Sequence, residues 1–74
     1  MGGDDLHRVT CHLETILDAR GMTLVELSEM VDITVANLSV LKNDRARAIR
    51  FSTLTAICDA LEVQPGDLFT VAPV

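Results

Sequence analysis

The 74-residue sequence is short of aromatic residues: it has no tryptophan, no tyrosine and only two phenylalanines. Any core must therefore be aliphatic, and a hydrophobic content of 49% favours a folded domain over a disordered chain. Long apolar runs are also missing, since no stretch approaches the roughly 20 residues of a membrane-spanning helix. The N-terminus lacks the basic and apolar regions of a signal peptide. We therefore expect a cytoplasmic protein with no membrane partner.

Residues that build catalytic or metal sites are few and scattered. Cys11 and Cys58 have no C-x-x-C partner and no histidine at zinc spacing, so they are interpreted as small core residues. His7 and His12 also lack a carboxylate or cysteine at metal spacing, and are interpreted as surface or helix-start residues. No nucleophile–base pair, carboxylate pair or glycine-rich phosphate loop occurs. We expect neither an enzyme nor a cofactor or metal.

Positive charge is scarce overall and is concentrated in one segment. The net charge at pH 7 is −5, yet residues 42–50 hold four cations and one acid, a local charge of +3 that leaves −8 for the rest of the chain. Because the Debye length at physiological salt is about 8 Å, a nearby phosphate responds mainly to the local cations. The acidic net charge therefore does not exclude a nucleic-acid partner. The charged residues of the segment are Lys42, Asp44, Arg45, Arg47 and Arg50.

Apolar spacing in residues 24–41 predicts two short helices joined by a tight turn. The first apolar run begins at Leu24 and follows i, i+3, i+7 spacing, and the second, Leu38 and Leu41, follows i, i+3 spacing. Two helices with so short a joint must cross sharply. This is the outline of a helix-turn-helix, whose second helix can enter the major groove of DNA.

Capping residues predict five helices, the first over about residues 12–20. Asp32 and Asp44 stand where the second and third helices end, at positions that require a left-handed backbone. After Asp44, arginines alternate with small or apolar residues, which predicts an irregular segment with Ile49 and Phe51 turned inward. Helix starts are predicted at Thr23, Thr34, Ser52 and Pro65.

The two ends of the chain are predicted to differ from its middle. Residues 1–5 are expected to form a disordered leader, and residues 6–74 a single domain. The alternation from Leu6 to Cys11 is typical of a short strand, and the tail from Thr70 onward is extended by propensity. These two segments can pair, either within one chain or across a dimer.

Residues from Leu13 to Phe69 resemble the Cro/repressor-type helix-turn-helix family, also called XRE, of bacterial and phage transcription regulators. The resemblance rests on T-L-V-E-L-S-E-M-V-D-I-T-V-A-N-L-S-V-L-K-N-D-R, followed by R-F-S-T-L and P-G-D-L-F. Small Ser28 stands where the family usually has alanine, which lets the two helices approach. The resemblance implies an all-α, compact five-helix repressor-like domain, commonly a homodimer on a partly palindromic DNA operator.

The resemblance also implies which residues contact double-stranded DNA. Asn37 is the candidate for a bidentate bond to adenine, and apolar neighbours on helix three are candidates for contacts to thymine methyls. Cations after helix three would bind phosphates without reading sequence. The implied base-reading residues are Thr34, Val35, Ala36, Asn37, Ser39 and Val40. The implied phosphate-binding residues are Thr23, Lys42, Asn43, Arg45, Arg47 and Arg50.

The sequence departs from the family pattern at four positions. Val25 and Val35 stand where many members have glutamines that contact phosphate and adenine, so the reading face is unusually apolar. Specificity would then lean on methyl contacts and DNA shape. Asp32 and Asp44 replace common glycines, and the charge of Asp44 is expected near the DNA backbone, where it would weaken binding.

Two functions fit these features. The first is sequence-specific DNA binding as a small transcriptional regulator, located in the cytoplasm and nucleoid-associated when bound. The alternative is a protein-interaction module, for example an antitoxin-like protein that binds a partner protein through its apolar face or tail. The two can coexist. The complete motif, the capped helix starts and the arginines directly after helix three together favour DNA.

Overall fold

A computed structural model of the chain describes residues 7–73. The expected leader at residues 1–5, and Leu6, lie outside the described residues. No helix within residues 7–73 has both the length and the apolar character needed to cross a membrane. The elements are β1 (Val9–Cys11), α1 (Leu13–Arg20), α2 (Leu24–Val31), α3 (Val35–Lys42), α4 (Phe51–Leu61), α5 (Pro65–Leu68) and β2 (Phe69–Val71). The five-helix fold expected from the sequence is confirmed.

The two ends of the domain pair within one chain. Strands β1 and β2 are antiparallel, with Thr10 opposite Thr70. The ladder continues into α1 through a 2.7 Å hydrogen bond from the His12 amide to the Leu68 carbonyl. The sequence left open whether the two strands pair within one chain or across a dimer. In the structure they pair within one chain, because α5 places β2 directly beside β1.

The core is aliphatic and joins all five helices. Leu27 of α2, Leu38 of α3 and Ile57 of α4 have no exposed surface, and α2 packs against both α3 and α4. Cys58 is buried in this core and Cys11 is half-buried against it, both as free thiols, as expected. The buried residues are Leu13, Leu17, Leu27, Leu38, Leu41, Ile57, Cys58, Leu61 and Leu68.

Helix boundaries follow the capping signals at α2 and α3. Thr23 and Glu26 form the expected capping box, with each side chain accepting the other residue's amide at 3.1 and 2.8 Å. The Thr34 hydroxyl accepts from the Asn37 amide at 3.1 Å. These bonds satisfy amides that the first helical turn leaves without a partner.

The start of α4 differs from the sequence prediction. The helix begins at Phe51 with Arg50 as its N-cap, without a side-chain cap, so the assignment of Ser52 as cap was wrong. The Arg50 carbonyl already accepts the first helical bond, from the Leu54 amide at 2.9 Å. Phe51 was expected to face inward with Ile49, but it is 84% exposed. In an extended chain every second side chain points to the same side, which is why Ile49 and Phe51 were expected to face inward together. Phe51 is already part of the helix, so this alternation does not apply to it.

Candidate nucleic-acid interface

The turn between α2 and α3 is held by both backbone and side-chain bonds. Asp32 adopts the left-handed conformation (φ 57°), and its amide donates to the Ser28 carbonyl at 3.0 Å. The Ser28 hydroxyl also donates to the Ile33 carbonyl at 2.5 Å, across the turn. Ser28 thus does more than let the helices approach, because it also fixes the residue that precedes the α3 cap. The sequence indicated the small side chain but not this bond.

Helix α3 buries one side and exposes the other. Leu38 and Leu41 enter the core, while Val35, Asn37 and Val40 remain exposed. The two valines leave 39% and 41% of their surface open. The outer face therefore offers one amide side chain flanked by methyl groups. These are the groups that can contact base edges and thymine methyls in a major groove.

Residues 43–50 run from the end of α3 to α4 and carry the arginines. The Asp44 amide donates to Leu41 and the Arg45 amide donates to Val40, which closes α3 and fixes the first arginine against it. Ala46 and Ile49 pack against the core. All three arginines of the segment are exposed, and so is Ala48, while Ala46 and Ile49 take the inner side.

An open cleft of about 710 Å³ lies between α3 and this segment. It brings together half of the residues implied by the family resemblance and adds Thr53, which the sequence reasoning missed. Thr53 lies in the first turn of α4 and is half-buried, so only the corrected start of that helix reveals it. The predicted residues that line the cleft are Thr34, Asn37, Val40, Arg45, Arg47 and Arg50.

The remaining predicted residues lie outside the cleft lining. Val35 and Ala36 are exposed on the first turn of α3. Asn43 donates its side-chain amide to the Ser39 hydroxyl at 3.2 Å. The Lys42 ammonium lies 3.6 Å from the Glu14 carboxylate, which turns this cation toward α1.

Thr23, the other predicted phosphate ligand, lies at the N-terminus of α2. Its hydroxyl and its amide are both used in the capping box with Glu26. The amides of Leu24 and Val25 are the donors of this first turn that no intrahelical carbonyl can satisfy. The Glu26 carboxylate occupies the same positive helix end that would attract a phosphate.

Asp44 ties the arginine segment to the strand that begins the domain. It is left-handed (φ 61°), as predicted, but its carboxylate accepts from the Cys11 amide at 2.7 Å. Its carbonyl lies 3.1 Å from His7 Nε2, and His7 Nδ1 accepts from the Val9 amide, which assigns the proton to Nε2. The carboxylate expected near DNA is therefore bound to β1. Burial, aided by Asp44, raises the pKa of the Cys11 thiol, which stays protonated.

Two close helices with one exposed outer face beside an arginine-lined cleft define a helix-turn-helix DNA-binding domain. The chain belongs to the Cro/C1-type HTH DNA-binding domain family, which it matches over residues 12–73. The resemblance noted in the sequence is confirmed, and the match covers every helix of the fold.

Two similar proteins add to this assignment. An "uncharacterized HTH-type transcriptional regulator YozG" of Bacillus subtilis (strain 168) is 57% identical over 60 residues, which covers 81% of this chain and 71% of that protein. The crystal structure of the transcriptional regulator VanUg superposes with a TM-score of 0.74 at 28% identity, over 90% of this chain and 88% of that one.

Proposed function

We propose that this DNA-binding domain acts as a sequence-specific transcriptional regulator, with α3 in the major groove and residues 45–50 on the phosphates. The observation that carries the proposal is the shared cleft, which is lined by exposed residues of α3 and by Arg45, Arg47 and Arg50. On a DNA duplex the base edges lie close to the backbone phosphates. A protein surface that contacts both must therefore hold its base-reading side chains next to its phosphate-binding side chains.

Base reading is assigned to the outer face of α3. Asn37, exposed and inside the cleft, bonds the N6 and N7 atoms of adenine, and Val40 beside it contacts a thymine methyl. Val35 and Ala36, exposed on the first turn, extend the apolar contact. Thr34 contributes through its hydroxyl hydrogen, because the oxygen already accepts from Asn37. The Ser39 hydroxyl accepts a hydrogen bond from the Asn43 side chain, so Ser39 contributes least to base reading.

Phosphate binding is assigned mainly to Arg45, Arg47 and Arg50, with Thr53 as a neutral donor at the same cleft. Thr23 and Asn43 contribute at the margins of the surface. Lys42, paired with Glu14, adds little. A domain of this size reads few bases, so we propose that it acts as a homodimer whose two α3 helices enter successive major grooves about 34 Å apart.

The decisive experiment is selection of bound sequences from random DNA at moderate salt, followed by titration of three variants. Asn37→Ala should lose about 1–3 kcal/mol on the selected site and nothing on random DNA. Arg50→Ala should weaken both and reduce the slope of log K against log salt by roughly one unit. Arg8→Ala is the control, because it removes the same charge from a side chain bonded to Ala72, outside the cleft.

Several outcomes would contradict the proposal. If Asn37→Ala weakened every DNA equally, Asn37 would not read bases. If Arg8→Ala and Arg50→Ala changed the salt slope alike, the cleft would not be the phosphate surface. A chain that retards no DNA even at low salt would favour the alternative, a partner protein bound through the apolar face, and charging Val40 would then abolish capture of that partner.

A further inference from the structure

One carboxylate, that of Asp32, belongs to the described lining of the cleft between α3 and the arginine segment. Asp32 is exposed and holds the left-handed position that ends α2. Within residues 7–73, its carboxylate has no hydrogen-bond or ion-pair partner. The cleft therefore presents a strong hydrogen-bond acceptor that the described part of the domain does not use.

The other aspartate next to α3 is placed differently. The Asp44 carboxylate accepts from the Cys11 amide at 2.7 Å, and Asp44 lies outside the cleft lining. At Asp32 only the backbone serves the fold, because its amide donates to the Ser28 carbonyl at 3.0 Å. Glycine adopts this left-handed conformation more easily than aspartate. The fold thus requires the backbone conformation of residue 32 and leaves its carboxylate available for a contact outside the domain.

Asp32 lies at the end of α3 that the proposed function places deepest in the major groove. In helix-turn-helix domains the N-terminal residues of the second helix contact base edges. Asp32 precedes the α3 N-cap, Thr34, by two residues, and both line the cleft together with Asn37. Two residues of the connection and one helical turn separate Asp32 from Asn37, a distance of at most about 12 Å. With base pairs about 3.4 Å apart, the two side chains can contact bases within about three or four pairs of each other.

A carboxylate distinguishes bases because it accepts hydrogen bonds and donates none. In the major groove cytosine offers the N4 amino donor, whereas guanine offers two acceptors and thymine offers an acceptor and a methyl group. Adenine places its N6 donor beside the N7 acceptor, which repels a carboxylate but suits an amide such as that of Asn37. A carboxylate at a base edge therefore favours cytosine over the other three bases.

The cations of the cleft offset the repulsion between this carboxylate and DNA. Three arginines and one aspartate give the described lining a charge of +2. The arginines supply attraction to phosphates that is independent of sequence. An acid among them lowers the affinity for wrong bases more than for cytosine, and specificity is this difference of affinities.

We infer that Asp32 is a specificity-determining residue, whose carboxylate accepts from N4 of a cytosine within about three or four base pairs of the adenine assigned to Asn37. The inference rests on the proposed function and adds a second base to the proposed reading surface. Glycine, which the family pattern has at this position, reads no base. The contact is therefore particular to chains with an acid here.

Exchange of the carboxylate for an amide tests this assignment. Asparagine keeps the shape of the side chain and adopts the left-handed conformation, but it adds the donor that suits adenine. Selection from random DNA should give a cytosine near the Asn37 adenine for the wild type, and an adenine in its place for Asp32→Asn. On duplexes that differ in this base pair alone, the wild type should prefer cytosine by about tenfold or more. The Asp32→Asn variant should reverse that preference.

Two further variants serve as controls. Asp32→Gly should bind these duplexes equally well, because no side chain remains at the base edge. Glu62 is also left-handed (φ 58°) and exposed, but it lies outside the cleft lining. Glu62→Gln removes the same charge and should keep the preference for cytosine. Melting curves like that of the wild type would show that all three variants fold.

Four outcomes would overturn the inference. If Asp32→Asn bound every duplex more tightly by one factor, the carboxylate would only repel the DNA backbone. If it bound every duplex more weakly by one factor, the carboxylate would position an arginine instead. A wild-type selection without cytosine near the adenine would overturn the inference and leave the proposed function intact. A wild type that retards no DNA even at low salt would overturn the proposed function itself, and this inference with it.

Discussion

The connections before and after α3 share one backbone conformation but are stabilised by different bonds. Both leave the preceding helix through an aspartate in the left-handed conformation, Asp32 at φ 57° and Asp44 at φ 61°. The first connection, residues 32–34, is held by Ser28 and Thr34, whose bonds join residues at most five positions apart. The second, residues 43–50, begins with local backbone bonds to α3 and is also held by the bond from the Cys11 amide, 33 residues earlier, to the Asp44 carboxylate.

These different bonds show what positions the proposed base-reading helix and what positions the proposed phosphate-binding segment. The turn that sets α3 against α2 is held by residues close to it in the sequence. The arginine segment is held by local backbone bonds, by the packing of Ala46 and Ile49 against the core, and also by β1, which pairs with β2. We therefore expect the chain ends to help position the proposed phosphate-binding residues, although no residue of the sheet needs to contact DNA.

The largest effect is expected from Leu38, which joins the helix pair. Leu38→Ala should destabilise the protein by about 2–5 kcal/mol, because a side chain with no exposed surface leaves a cavity. Ile49→Ala, in the arginine segment, should cost roughly half as much because Ile49 is only half-buried. Urea unfolding measures both. Equal losses of stability would show that Ile49 contributes as much to the core as Leu38 does.

A matched pair of glycine variants separates the two aspartates. Asp44→Gly should lower the free energy of unfolding by about 1–3 kcal/mol, because the Cys11 amide loses its acceptor. Part of this loss is offset because glycine adopts the left-handed conformation more easily than aspartate. Asp32→Gly removes no such bond and should leave the stability within about 1 kcal/mol of the wild type. Unfolding curves and hydrogen exchange at the Cys11 amide report the difference. If both variants behaved alike, the link to β1 would not hold the segment.

The helix starts after each connection give a smaller contrast. Thr34→Ala should destabilise α3 by about 1 kcal/mol, because it removes the acceptor of the Asn37 amide. Ser52→Ala should change the stability by a few tenths of a kcal/mol at most, since Ser52 lies inside the first turn of α4 and caps nothing. Thermal unfolding of the two variants is the measurement. A comparable loss for Ser52→Ala would restore Ser52 as the cap.

The smallest effect is expected at Lys42, where α3 passes into the arginine segment. Lys42→Ala should reduce the salt slope of DNA binding far less than the roughly one unit expected for Arg45→Ala, because Lys42 is paired with Glu14. The lost surface ion pair should cost at most about 0.5 kcal/mol of stability. Fluorescence anisotropy at several salt concentrations tests this, and equal slopes for both variants would place Lys42 on the phosphates.

Much of the fold could be predicted because its signals are local. The capping box at Thr23, the cap at Thr34 and the left-handed aspartates each depend on residues within one or two turns of each other. The start of α4 was misread because serine is a strong cap by propensity, whereas Arg50 takes the position here without a side-chain bond. Glu62, which is also left-handed, carries no sequence signal of the kind that glycine provides.

The site was predictable in kind rather than in detail. The family motif and the arginines indicated a DNA-binding face, and the family is confirmed. Which predicted residues share the cleft depended on contacts that spacing does not reveal, such as the Glu14–Lys42 ion pair and the Ser39–Asn43 bond.

The sequence by itself determined the helices, their main caps, the tight turn and the segregation of positive charge after α3, because all of these arise from residues close together in the chain. Only the tertiary structure decided the pairing of β1 with β2, the bond that turns Asp44 toward Cys11, and the exposure of Phe51. Each of these depends on which distant residues become neighbours once the core around Leu27, Leu38 and Ile57 has formed. Hydrophobic burial selects those neighbours through the shape of the whole domain, and local patterns do not encode that shape.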